Sequence, residues 1–204
     1  MDTDRIRQIV EAALLAASQP LSRDQLLSLF EEADEVGAEN VDRALAELAE
    51  DCARRGIELR EVASGFRFQV RRELYPWVSR LWTERSARYS RALLETLALI
   101  AYRQPITRGE IEQIRGVAVS TQIMRTLEER GWIRVLGHRD VPGKPSLYGT
   151  TKAFLDYFNL KSLDELPPLS ALPEIPEIEP ELRLESGTTP ASGAESPPPE
   201  TTTA

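Results

Sequence analysis

A chain of 204 residues with 41% hydrophobic composition is long enough to bury one sizeable core or two small ones. Its single cysteine, Cys52, and single histidine, His138, exclude a disulfide framework and any multi-cysteine or three-histidine metal site. The net charge of −8 hides a segregation: residues 1–70 carry 15 acids and 8 bases (−7), residues 71–160 carry 9 acids and 15 bases (+6), and residues 161–204 carry 9 acids and 2 bases (−7). Such a polarised surface suits docking onto a partner, or a modest attraction of the middle region to phosphates.

Residues 4–17 read as a helix, with Ile6, Ile9, Val10, Ala13, Leu14 and Ala17 at helical spacing. Pro20 ends it, and Ser22-Arg-Asp-Gln25 is a capping box that opens a short helix through Leu26, Leu27, Leu29 and Phe30. A third helix carries Val41, Ala44, Leu45, Leu48 and Cys52, the last as a small buried hydrophobe, and Arg55-Gly56 stops it with a glycine free to turn left-handed. Residues 57–62 and 66–70 alternate apolar and polar around Ser64-Gly65, the signature of a hairpin. Residues 73–88 follow as a connecting helix with Pro76 in its first turn and Leu74, Trp77, Val78, Leu81 and Trp82 on one face.

The plan then recurs. Residues 10–26 and 95–111 align without a gap at an offset of 85 positions, sharing Gln-Pro-(Leu/Ile)-(Ser/Thr)-Arg at Gln19–Arg23 and Gln104–Arg108. A helix over 90–103 presents Leu93, Leu94, Leu97, Leu99 and Ile100, and Thr107-Arg-Gly-Glu110 caps a short helix through Ile111 and Ile114. Ser120 caps a helix over 120–130 with Ile123, Met124 and Leu127 inward, and Arg130-Gly131 repeats the earlier stop. Residues 132–136 and 146–150 make a second hairpin with a longer loop, and a helix over 151–159 offers Phe154, Leu155, Tyr157 and Phe158.

Three helices followed by a hairpin, twice, describe two tandem winged helices. The expected architecture is α+β and mainly α: a module over 1–72, a connecting helix over 73–88, a second module over 89–160, and a disordered acidic tail over 161–204 that holds nine of the 14 prolines. No basic stretch leads into an apolar run at the start and no window reaches 18 apolar residues, so neither a signal peptide nor a membrane span is expected. The expected compartment is the cytoplasm.

Catalytic chemistry is thinly supplied. His138 lies in a hairpin loop beside Arg139 and Asp140, with no serine or cysteine spaced to form a triad. Pro142-Gly-Lys-Pro145 departs from a phosphate-binding loop, because His138 stands where its first glycine is required and Pro145 follows the lysine. No enzyme activity, cofactor or metal is expected. DNA reading is poorly served too: Asp42, Glu47, Glu50 and Asp51 load the third helix of the first module with acids, and Glu128 and Glu129 follow Gln122, Arg125 and Thr126 in the second. Arg80, Arg85, Arg88 and Arg91 allow weak nonspecific contact at most. A sequence-specific regulator with two winged helices is the alternative reading.

Tyr89–Tyr102, Gln104–Arg108, Ile114–Val117, Asp140–Pro145, Leu147–Thr151, Phe154–Phe158 and Leu160–Pro167 together resemble segregation and condensation protein B, weakly through the first module and specifically through the second. That resemblance implies a non-catalytic accessory subunit of the bacterial SMC–kleisin condensing complex, acting in chromosome condensation and segregation at the nucleoid. It implies a homodimer formed largely through the N-terminal module and wrapped around the central segment of the kleisin, segregation and condensation protein A (ScpA). The ATPase is the separate SMC protein, reached through the kleisin, and DNA contact is weak or indirect. In this chain the rigid, partly apolar loop Val141–Tyr148 suits a kleisin helix, and Tyr102, Pro142, Gly143, Pro145 and Tyr148 are the expected partner contacts.

Overall fold

Ser22, Thr107 and Ser120 cap the starts of three helices where the sequence places them. The computed structural model describes residues 1–82 and 89–168. In the first half, α1 (Thr3–Ala16), α2 (Arg23–Leu27) and α3 (Ala38–Asp51) precede β1 (Ile57–Val62) and β2 (Gly65–Val70). In the second, α5 (Arg91–Arg103), β3 (Ile106–Thr107), α6 (Arg108–Arg115) and α7 (Thr121–Glu129) precede β4 (Ile133–His138), β5 (Ser146–Thr150) and α8 (Lys152–Tyr157). Between them run a 3-10 turn, the four-residue α4 (Tyr75–Val78) and a second 3-10 turn ending at Leu81. The expected connecting helix is therefore a chain of short turns as far as Trp82, and residues 83–88, with Arg85 and Arg88, lie outside the described residues.

Each half has its own core. In the first, Ile6, Val10 and Leu14 of α1 meet Leu26, Val41, Leu45, Leu48 and Phe66. In the second, Leu97 and Ile100 of α5 meet Ile111, Val119, Met124, Leu127, Trp132 and Phe154. Cys52 is buried as expected. The helical faces are narrower than the periodicity implies, since Leu94 and Ile114 are exposed.

The shared five-residue motif explains why the duplication holds. Ser22 Oγ accepts from the Gln25 N–H while Gln25 Oε1 accepts from the Ser22 N–H, and Thr107 and Glu110 repeat the exchange. The motif arginine reaches forward each time: Arg23 pairs with Asp42 at 2.7 Å, and Arg108 donates to the Val119 carbonyl, Glu112 and Thr121. The residue after the proline is extended and joins the hairpin. Leu21 exchanges backbone hydrogen bonds with Phe66 at 2.9 and 2.8 Å. In the second half the same position widens into β3, giving a three-stranded sheet of order β3-β5-β4. These third strands are absent from the sequence reading, because one or two residues carry no period.

Two turns depart from expectation. Gly131 is left-handed (φ 66°), but α3 ends in a 3-10 turn at Cys52–Arg54, and Gly56 instead leaves space for Leu74, whose Cδ1 would lie 3.0 Å from an added Cβ. The disordered tail was expected from residue 161. Residues 161–166 are ordered instead: Ser162 caps a turn at Leu163–Glu165, Leu160 and Leu166 pack against the second core, and Lys161 pairs with Glu61 at 2.6 Å. The rest of that expectation, over 169–204, lies outside the described residues.

The halves are stitched into one unit, Met1–Leu166. Asp156 at α8 accepts the Ser64 N–H at 3.0 Å and the Ser64 hydroxyl at 2.6 Å. Arg67 donates to the Asp156 carbonyl and to Asn159 Oδ1, and the Ala63 N–H reaches the Leu160 carbonyl at 3.0 Å.

Gly65 sits at the tightest point, with φ 141° and an added Cβ only 2.2 Å from the Leu21 carbonyl oxygen. Gly65→Ala is expected to destabilise the chain by about 2–4 kcal/mol in urea unfolding. Gly109→Ala, in α6 with open space around it, is expected to be neutral or stabilising by up to about 1 kcal/mol.

Candidate docking surface

The C-terminal end of α5, the outer side of α6 and the β4–β5 loop meet around Glu110. Its side chain accepts the Thr107 N–H and hydroxyl, each at 2.9 Å, and forms an ion pair with Arg139 of the loop at 3.0 Å. The helix cap and the loop therefore share one carboxylate. The Thr107 N–H and then the Thr107 hydroxyl hold Glu110 below the ordinary carboxylate value of 4.5 against desolvation, and the Arg139 charge adds the least. Beside it a shallow groove of about 310 Å³ is lined by Arg103, Pro105, Ile106, Glu110, Gln113 and Ile114. Ile114 on its apolar side is 53% exposed, and Val117, three residues further along the chain, is exposed too.

The loop itself is braced. The Arg139 N–H donates to the Pro145 carbonyl and the Lys144 N–H to the Val141 carbonyl, each at 2.9 Å. Gly143 (φ 87°) and Lys144 (φ 36°) make the reversal. Val141, Pro142, Gly143 and Lys144 are exposed, so the loop presents a rigid tip of apolar and cationic character.

The expected contact residues divide. Pro142 and Gly143 are exposed on the loop, and Pro145 is half-buried at its base. Tyr148 lies in the central strand β5, opposite Ile106 and Val135, where it packs half-buried on the core. Tyr102 is half-buried on the last turn of α5, next to groove-lining Arg103. Ile114 and Val117 are not among the expected contact residues, and the Glu110–Arg139 tie is missing from the sequence reading. The repeat gives Ile114 a helical position but not its outward direction.

A second groove of about 560 Å³ lies in the first half, between Leu45, Ala46 and Ala49 of α3 and Leu59 and Phe66 of the hairpin, with Lys161 on its rim. His138 is exposed at the end of β4. Among the described residues there is no cluster of three His, Cys, Asp or Glu side chains set to hold a metal, and no helix is long and apolar enough to cross a membrane.

The described residues form a mixed helical and stranded protein in which a helix-and-hairpin plan occurs twice, with a braced loop beside a groove. A family model, segregation and condensation complex subunit ScpB, matches residues 8–169. The chain belongs to that family. It is 58% identical over 171 residues to the segregation and condensation protein B homolog of Coxiella burnetii, covering 84% of this chain and 82% of the relative. With segregation and condensation protein B of Syntrophotalea carbinolica it shares 43% over 177 residues, 86% and 87% of the two chains. Among solved structures, ScpB from Mycobacterium tuberculosis is similar at 35% identity over 78% of this chain and 98% of that one, with a TM-score of 0.37. A dimer of an ScpB N-terminal domain complexed with ScpA peptide matches at 30% over 39% of this chain and 96% of that one, with a TM-score of 0.35.

The Glu110 tie predicts an acid-sensitive term. A carboxyl whose folded pKa is lowered adds stability that is full above its ordinary value and is lost as pH falls through the lower folded value. The stability difference between the natural chain and Glu110→Gln is therefore expected to be constant near neutrality and to disappear below pH 4.5 in urea unfolding at stepped pH. A difference that survives in strong acid contradicts it.

Proposed function

We propose that this chain is a non-catalytic subunit of the bacterial SMC–kleisin complex, made of two tandem winged-helix modules and working as a homodimer on the central segment of the kleisin ScpA. Membership of the ScpB family carries the reading. It acts in chromosome condensation and segregation at the nucleoid, and reaches the SMC ATPase through the kleisin. The surface proposed for the kleisin is the groove along α6 together with the loop Arg139–Pro145, which Glu110 joins.

The physical fit is to an amphipathic helix. Ile114, Val117 and Val141 offer exposed apolar footing, while Arg103, Lys144 and the Glu110–Arg139 pair rim it with charge. Proline at 142 and 145 limits the loop's conformational freedom before binding, which lowers the entropic cost of docking. Tyr148 contributes through the strand that supports the loop, and Tyr102 at the groove's helical end.

DNA reading has weaker support. Arg125 of α7 is held by Glu129 at 2.7 Å, and Asp42 of α3 by Arg23, so the helices that would enter a groove present internally paired charges.

Co-expression with the neighbouring kleisin tests the reading. Ile114→Asp with Val141→Asp, both on exposed side chains, is expected to reduce kleisin co-purification at least about tenfold with an unchanged melting profile. Undiminished co-purification would show that the kleisin docks elsewhere. Tight, sequence-dependent binding of short duplexes by the isolated chain at physiological salt would contradict the reading itself.

A further inference from the structure

The two halves meet without sharing a core. Their buried clusters are separate, and the first hairpin is tied to the end of α8 by hydrogen bonds and an ion pair. Besides the bonds to Asp156, Asn159 and Leu160 already described, Arg60 donates to the Asn159 carbonyl at 3.4 Å. Lys161 and Glu61 pair across partly exposed surface. Bonds of this kind give way to bonds with water at modest net cost, while buried apolar surface does not. The closed junction also carries a cost. Arg67 Nε is buried with no hydrogen-bond partner among the described residues, although Nη2 of the same guanidinium serves Asp156 and Asn159. A buried unpaired donor forfeits its bond to water, and water reaches it once the halves part.

The strap that follows α8 gives that parting a consequence. Leu160 and Leu166, near its two ends, pack on the second core, so the strap belongs with the second half. It is stiffened internally, since the Lys161 N–H donates to the Glu165 carboxylate at 2.8 Å and Ser162 caps the turn between them. Yet Lys161 and Glu165 line the groove of about 560 Å³ in the first half, together with Leu45, Ala46 and Ala49 of α3. Arg60 and Glu61, which the strap bonds, line the same groove. One half therefore supplies part of the wall of a groove that belongs to the other.

We propose that the strap is a gate on the first-half groove, latched by the polar junction at Ser64 and Asp156. When the latch breaks, the strap swings away with the second half, and each half stays folded on its own core. Access to the groove and the position of the second half are thereby coupled through one carboxylate. The gate is independent of where the kleisin docks, because neither the α6 groove nor the loop at 139–145 takes part in it.

Single-molecule energy transfer on the full chain tests this. Dyes are carried on Ser28→Cys and Glu128→Cys, both exposed, while Cys52 is buried and stays unlabelled. An excess of unlabelled chain ensures that only distances within one chain are read. The chain with its latch intact is expected to show a dominant population and a minor one in exchange with it. Asp156→Ala removes the acceptor of both Ser64 bonds and is expected to raise the minor share at least about tenfold. Ser64→Ala removes the hydroxyl bond alone and is expected to raise it about threefold. Hydrogen exchange over 159–166 is expected to quicken in the Asp156→Ala chain, while α1 and α5 keep their protection. A single population that neither change moves overturns the gate. Exchange that quickens in α1 and α5 as well also overturns it, because the halves would then part by unfolding.

Discussion

The turn of the first hairpin closes on one carboxylate. Ser64 gives both its N–H and its hydroxyl to Asp156, 92 residues further along, and Arg67 holds the helix end that carries it. Bonds to a charged acceptor are stronger than neutral ones, and here several converge on a few residues at the end of α8. Asn159 adopts a left-handed backbone (φ 59°), which asparagine tolerates better than most residues. Without this junction the chain would be two small cores on a short connector. With it, Met1–Leu166 is one unit, and the surfaces on the two halves keep a fixed relation. Residues 161–166, expected as the start of a disordered tail, are ordered where the first half receives the Leu160 carbonyl and the Lys161 ammonium.

Much of this architecture was legible because it is local. Serine or threonine three residues before glutamine or glutamate marked the starts of α2 and α6, and the alternation over 57–70 marked β1 and β2, although Gly65, read as a turn residue, pairs with Val62. What escaped was of two kinds. Pairings across long sequence separations, Ser64 with Asp156 above all, leave no trace in spacing. Choices of direction escaped too: Ile114 and Trp77 satisfy a helical period, yet face water, because a period gives a face and not what lies opposite it. Gly56 belongs to the same class. It reads as a helix stop, and its use is to admit Leu74.

The same limit governed the site. The loop at 141–145 was identified from its prolines and glycine, and it is exposed over 141–144 with Pro145 half-buried at its base. Tyr148 is an expected partner contact; β3 adds a strand on its far side and makes β5 central, and the residue is half-buried there. Glu110 looked only like a cap, yet the same carboxylate also anchors Arg139. Apolar side chains stay in water at the α6 groove and on the connector. They are where free energy remains to be gained by contact.

Hydrogen–deuterium exchange of the full chain, alone and with the kleisin, tests the scaffold account most directly. The account predicts slowed exchange in the α6 segment, residues 108–117, and in the loop, residues 139–148. Unchanged exchange at both, with protection confined to α1 and α2, would contradict it.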